Sequence, residues 1–120
     1  MYPEHFRALA LRGAEIVVVP TATSMSEQAF RDVWEIEIQA SAVANQIFVA
    51  VANRAGSDRE LHFFGESFVA GPDGQILARA AEDVEELLVA EVDLAEIERV
   101  RRHVPFLRDL RYDLYGPGHS

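Results

Sequence analysis

At 120 residues, with 49 % apolar and 26 % charged side chains, the chain has the length and composition of one globular domain and not of a disordered segment. Twenty acidic groups against eleven arginines leave a net charge of −9, which speaks against unaided binding to nucleic acid or an anionic membrane. Cysteine is absent, and since all eleven basic residues are arginine, lysine is absent too. Disulfides, thiolate metal sites and thiol nucleophiles are thereby excluded from these residues.

Met1 to His5 contains no basic stretch leading into an apolar core, so a signal peptide is not expected. No apolar run approaches the roughly 20 residues that span a bilayer, and a cytoplasmic location is expected. Pro3 and Glu4 suit the first turn of a helix. Phe6, Leu9 and Ala10 recur at helical spacing, and Gly13 supplies the stop. Within Glu15 to Val19, Ile16-Val17-Val18-Val19 is a continuous apolar run with no polar face, ended by Pro20, which predicts a strand buried on both sides.

Thr21-Ala22-Thr23-Ser24 reads as a turn, and Ser24 with Glu27 has capping-box spacing for a second helix. That helix is predicted to run to about Asn45, with Phe30, Val33, Trp34 and Ile38 as its apolar stripe. Gln46 to Asn53 is predicted as a second buried strand and Arg54 to Glu60 as a polar loop. Phe64 to Gly71 and Gln75 to Ala81 flank Pro72-Asp73-Gly74 as an antiparallel hairpin. Glu82, Asp83, Glu85 and Glu86 form a solvated turn, followed by a predicted strand over Glu86 to Val92. Asp93 and Glu96 cap a third helix carrying Leu94, Ile97 and Val100, which Pro105 ends. Residues 104–120 make an irregular tail. Two apolar strands call for cover on both faces, and three helices are few for that task.

Local constellations carry little chemistry by themselves. Glu4 and Arg7 are spaced to pair on a helix surface. Arg54, at a strand end, is a possible anion contact, with a loop ion pair as the structural alternative. His5, His62, His103 and His119 have no ligand spacing, so no metal site is expected. Gly65-Glu66-Ser67-Phe68-Val69 begins like a nucleophile elbow but lacks the final Gly and falls in a hairpin. A hydrolase using Ser67 and His62 is therefore the weakest of the readings.

An ordered series of motifs resembles the nitrilase superfamily, the carbon–nitrogen hydrolases, on the side of the carbamoylputrescine amidase-like and N-carbamoyl amide hydrolases. The series runs from Tyr2-Pro3-Glu4 through Arg12-Gly13-Ala14-Glu15-Ile16 and Pro20-Thr21-Ala22 to Asn45-Gln46 and Ala52-Asn53-Arg54. It continues with Phe64-Gly65-Glu66-Ser67-Phe68, Pro72-Asp73-Gly74, Glu91-Val92-Asp93-Leu94, Phe106-Leu107-Arg108-Asp109 and Tyr112-Asp113-Leu114-Tyr115-Gly116. The resemblance covers the C-terminal portion of the family's domain. It implies an α/β fold, the C-terminal part of an α-β-β-α sandwich: a mixed sheet with two helices on one face, then a C-terminal helix and tail. The whole of 1–120 would be a partial domain.

The resemblance also implies a Cys nucleophile, a Glu base and a Lys that stabilises the oxyanion, all of them upstream, with the Cys just ahead of the aromatic-Pro-Glu motif. Thr21, Ala22 and Thr23 match the loop that borders the substrate, and capping and turn formation are their structural alternative. No cofactor is implied. The chain is expected to be the C-terminal fragment of a hydrolase of amide or N-carbamoyl C–N bonds, inactive alone. Its expected partners are a homo-oligomer, or the missing N-terminal part of the same domain, and a small-molecule amide in the intact enzyme. A non-catalytic assembly or regulatory module pairing with a full-length hydrolase is the alternative.

Overall fold

The computed structural model describes residues 2–24 and 28–115. Helix α1 (Pro3–Leu11) opens with Pro at its start and Glu4 in its first turn. It closes in a Schellman turn: Gly13, at φ +96°, donates to Ala10 O at 3.0 Å, and Ala14 N–H donates to Leu9 O at 3.0 Å. The stop expected at Gly13 is thus met by the one residue that takes this φ without strain.

Strand β1 (Ile16–Thr21) leads through α2 (Gln28–Asn45) to β2 (Phe48–Asn53), which pairs with β1 in parallel. Of the capping box expected ahead of α2, Glu27 lies outside the described residues. The end of α2 repeats the Schellman pattern without glycine. Gln46, at φ +53°, donates from its backbone N–H to Val43 O at 3.2 Å, and Ile47 N–H donates to Ala42 O at 3.1 Å. Beyond β2 the chain forms β3 (Ala55–Asp58) and β4 (Leu61–Phe64), an antiparallel hairpin with its own two-stranded sheet. Strands β5 (Phe68–Ala70) and β6 (Ile76–Arg79) flank the Pro72-Asp73-Gly74 turn, and the main sheet has the order β1-β2-β5-β6. Helix α3 (Ala95–His103) and a short α4 (Tyr112–Tyr115) complete the described chain.

Register explains the core. Val17, Val49 and Ala70 share one row across the sheet, and Val19, Val51 and Phe68 another. Phe6 and Ala10 of α1 and Trp34, Ile38 and Ala42 of α2 close over these rows as one apolar cluster. Trp34 meets Phe64 and Phe68 edge to face, with centroids at 5.2 and 5.5 Å. Asp93 accepts the Ala95 N–H at 3.0 Å and caps α3. That helix is tied to the sheet by Gln46, whose Nε2 donates to Val104 O at 2.5 Å and Val100 O at 3.4 Å.

Five local expectations are corrected. β1 is buried on one face only: Val17 is buried, whereas Ile16, Val18 and Pro20 are exposed, because both helices lie on the same side of the sheet. The stripe of α2 is Trp34, Ile38 and Ala42, while Phe30 and Val33 face solvent. Residues 55–64 are a hairpin and not a loop. An antiparallel ladder joins its strands, and the side chains that brace it are Ser57 with His62 at 2.9 Å and Arg54, just ahead of β3, stacked over Phe63 at 4.3 Å, in place of an apolar alternation. Residues 86–92 form no strand: no ladder pairs them with a described strand, and Leu87 and Val89 are 90 % and 79 % exposed. Arg7 turns away from Glu4 and donates to Ala44 O on α2 at 3.1 Å, so that burial lowers its guanidinium pKa.

Candidate functional site

The parallel pair places two strand ends side by side. Thr21 is the last residue of β1 and Asn53 the last of β2, and the two are register partners. Ligand sites in open α/β sheets favour this end of parallel strands, where chain leaves the sheet and backbone groups come free. Arg54 N–H donates to Thr21 O at 3.0 Å and extends the ladder by one step beyond the strands.

Asn53 organises the loops beyond this strand end. Its Oδ1 accepts the Thr23 N–H at 2.9 Å, and its Nδ2 donates to Gly65 O at 2.8 Å. One partner can only donate and the other can only accept, so the orientation of the amide is fixed by chemistry. The Asn53 N–H donates to Ser67 Oγ at 2.8 Å. Gly65 N–H donates in turn to Arg54 O at 3.0 Å. A single half-buried side chain therefore joins the 21–24 loop to the 65–67 bend. The Thr21 and Thr23 hydroxyls lie 2.9 Å apart, and one donates to the other.

Thr21 and Thr23 form one wall of a cavity of about 260 Å³, and Phe30, Val33, Trp34, Glu37 and Ile38 of α2 form the other. Of the residues expected here, Thr21 and Thr23 come together, and Ala22 lies exposed between them. Arg54 is carried to the same strand end, but its guanidinium is spent elsewhere. It lies over the Phe63 ring and pairs with Asp58 at 3.4 Å, the ion pair that was the structural alternative to an anion contact.

Beside Ser67, Glu66 takes a left-handed backbone, φ +55°. Burial raises its carboxyl pKa and Glu82 adds to the shift, against smaller opposing effects of Arg31 and Arg79. Ser67 is held by Asn53, whereas His62 bonds Ser57 and pairs with Asp83 on an exposed surface. The nucleophile–base pair imagined from Ser67 and His62 is therefore not assembled. Among the described residues no group of His, Asp and Glu is placed to hold a metal ion, and no helix is long and apolar enough to cross a membrane.

What the arrangement offers is a pair of hydroxyls held at a strand end, which can position a polar ligand, with the neighbouring backbone amides already bonded within the site. Sequence reasoning found the two threonines and missed the hub. The available signal was an Asn at the last position of an apolar strand, where a half-buried amide is satisfied by neighbouring loops.

Known proteins place this site in context. Residues 1–102 match the carbon–nitrogen hydrolase family. The N-carbamoylputrescine amidase of Solanum tuberosum is 38 % identical over 126 residues, covering 95 % of this chain and 42 % of that protein. The 2-oxoglutaramate amidase of Bacillus subtilis is 33 % identical, with 95 % and 42 % covered. The carbon–nitrogen hydrolase of Helicobacter pylori G27 superimposes with a TM-score of 0.90 at 40 % identity, covering 95 % of this chain and 44 % of that one. A mutant of the amidase from Nesterenkonia sp. AN1, 37 % identical with a TM-score of 0.76 and covering 95 % of this chain and 38 % of that one, carries the acetamide moiety of fluoroacetamide added covalently at its active-site cysteine. The chain spans about two fifths of the length of the curated relatives it matches. It belongs to the carbon–nitrogen hydrolase family.

Proposed function

We propose that these residues form the C-terminal part of a hydrolase of non-peptide amide or N-carbamoyl C–N bonds, and that they supply its scaffold and one wall of its substrate pocket. In this reading the reaction proceeds through a cysteine-bound intermediate; the acetamide adduct of the Nesterenkonia amidase supports a nucleophilic cysteine in that protein. The cysteine, its base and the cation facing the oxyanion come from outside these 120 residues, which hold neither Cys nor Lys. The observation that carries the reading is the Asn53 hub. It bonds the Thr23 N–H and holds that loop at the end of the parallel strands, where the Thr21 and Thr23 hydroxyls use one of their two protons between them and leave the other to meet a ligand. The N-carbamoyl preference rests on the names of the relatives.

The purified chain should release no ammonia from N-carbamoyl amines above the blank. Fused in register to the remainder of the Helicobacter pylori hydrolase, it should restore turnover, and replacing the donor's active-site cysteine by alanine should abolish that turnover. Ammonia release by the chain alone, or a folded fusion inert towards both amides and N-carbamoyl amines, overturns the reading.

One feature favours the alternative of an assembly module. A cavity of about 560 Å³ between α1 and α2, lined by Ala8, Leu11, Ala40 and Ala44 and closed by Leu110 and Tyr115, offers an apolar groove suited to a helical partner or a second copy. A stable dimer of the isolated chain, lost on Ala40→Glu, would favour it.

A further inference from the structure

Both ring nitrogens of His62 are engaged. Ser57 and His62 are register partners across the β3–β4 hairpin, and residues directly opposite one another carry their side chains on the same face. Ser57 Oγ lies 2.9 Å from His62 Nδ1, and His62 Nε2 bonds Asp83 Oδ1. Backbone brings Asp83 there: its N–H donates to Phe64 O at 2.9 Å, and its neighbour Glu82 forms a bridge with Gly65. Asp83 sits at φ +59°, a conformation that Asp accepts more readily than most residues. Chemistry sets the direction of both side-chain bonds. A carboxylate only accepts, so the neutral imidazole carries its proton on Nε2 and keeps a lone pair on Nδ1. The Ser57 O–H then donates to Nδ1, and its proton already points at a base. A hydroxyl bonded to an imidazole whose other nitrogen is held by a carboxylate is the arrangement that makes serine a nucleophile on unrelated folds.

We propose that Ser57 is a nucleophile that takes acyl groups from activated esters, with His62 as its general base and Asp83 as the residue that positions the imidazole. The Oγ attacks the ester carbonyl carbon while its proton passes to His62 Nδ1. The C–O bond to the leaving alcohol breaks, the leaving oxygen takes the proton from Nδ1, and an acyl-Ser57 ester remains. Exposure defines the substrate class. Ser57, His62 and Asp83 all face water, so no enclosing wall strengthens the electrostatics at the reacting atoms, and the donor must bring a good leaving group of its own. Aryl esters meet that requirement and amides do not, which separates this activity from the amide hydrolysis proposed above. Composition leaves Ser57 with little competition. The chain holds neither Cys nor Lys, the side chains that otherwise take up acyl groups at a protein surface.

The test is incubation of the full 120-residue chain with p-nitrophenyl acetate, followed by nitrophenolate release and by mass spectrometry of the acetylated peptides. An acetyl group should appear on Ser57. Ser57→Ala should remove it, and His62→Asn should slow its appearance about a hundredfold, the scale of a lost general base, with the far-UV spectrum of the chain unchanged. Asp83→Asn should slow it about tenfold and move the imidazole proton to Nδ1 in nitrogen NMR spectra of the ring, a change that loss of a merely structural contact would not make. Acetyl found only on the amino terminus or on other side chains overturns the proposal, and this reading on the parent chain stands whether or not a variant folds. Nitrophenolate release by Ser57→Ala at the parent's rate overturns it too. So does equal labelling of Ser57 in the urea-unfolded chain, which would show that His62 and Asp83 contribute nothing.

Discussion

Asn53→Ala is the substitution that tests the site most directly. It deletes the bonds to the Thr23 N–H and the Gly65 carbonyl and leaves the backbone bond to Ser67 in place. Each deleted bond contributes about 1 kcal/mol net, and the two half-buried partners left behind add a share of their desolvation cost. The sum is about 2–3 kcal/mol, which for a chain of this length lowers the thermal midpoint by roughly 8–12 °C. Urea unfolding followed by far-UV circular dichroism measures the free energy, and amide exchange at Thr23 reports whether the loop is released. Asn53→Asp separates the two bonds. It keeps an acceptor for Thr23 but turns a carboxylate oxygen towards the Gly65 carbonyl, so the folded state favours the protonated acid and raises its pKa. The penalty of this variant should therefore be absent below the unfolded pKa, about 3.9, and should grow as pH rises through the folded value. A loss below about 0.5 kcal/mol for Asn53→Ala, within the range of an ordinary surface change, would refute the hub. An Asn53→Asp variant as stable as the parent at pH 7 would refute it as well.

Trp34→Ala empties the centre of the core and removes two edge-to-face contacts; a loss of about 3–5 kcal/mol is expected, enough to abolish the cooperative urea transition. Gln46 combines a left-handed backbone with a side chain that bonds the carbonyls of Val100 and Val104 at the end of α3. Gln46→Gly loses the bonds but relieves the backbone, and should be about 1 kcal/mol more stable than Gln46→Ala in the same titration; equal stabilities would show that the backbone carries no strain. Burial, then Glu82, raises the Glu66 pKa above its unfolded value. Ionisation of this group therefore opposes folding, with no cost below the unfolded pKa and a growing one as pH rises through the folded pKa. Glu66→Gln should raise the thermal midpoint at pH 7.5 and leave it unchanged at pH 3.5, and a gain of the same size at both values would show that charge is not the cause.

Most of the fold was legible because its signals are local. Pro3 and Gly13 bound α1 by backbone geometry alone, and Pro72-Asp73-Gly74 turns the β5–β6 hairpin. The long stretch ending at Asn45 could be only a helix. The hairpin at 55–64 was hidden because its cross-strand partners are polar and aromatic, Ser57 with His62 and Arg54 over Phe63, a pairing that leaves no period-2 apolar trace. The site was half legible for a similar reason. Thr21 and Thr23 follow an apolar strand and announce a strand end. Asn53 acts through Gly65, twelve residues on, and Thr23, thirty residues back, and no local pattern records contacts of that reach.

The failed strand at 86–92 and the one-sided burial of β1 have one physical origin. Apolar periodicity reports which surfaces a sequence is built to bury and says nothing of what buries them. Ile16, Val18, Leu87 and Val89 carry the pattern of covered strands, yet all four are exposed. At about 25 cal/mol per Å² of apolar surface, leaving such side chains in water forfeits a stabilisation that the same residues would gain under a second layer. Expectation and structure therefore disagree most where cover would have to come from outside these residues. That disagreement falls on the open face and the 86–92 segment, and the α-helical side is covered because its cover, α1 and α2, is encoded in the same 120 residues.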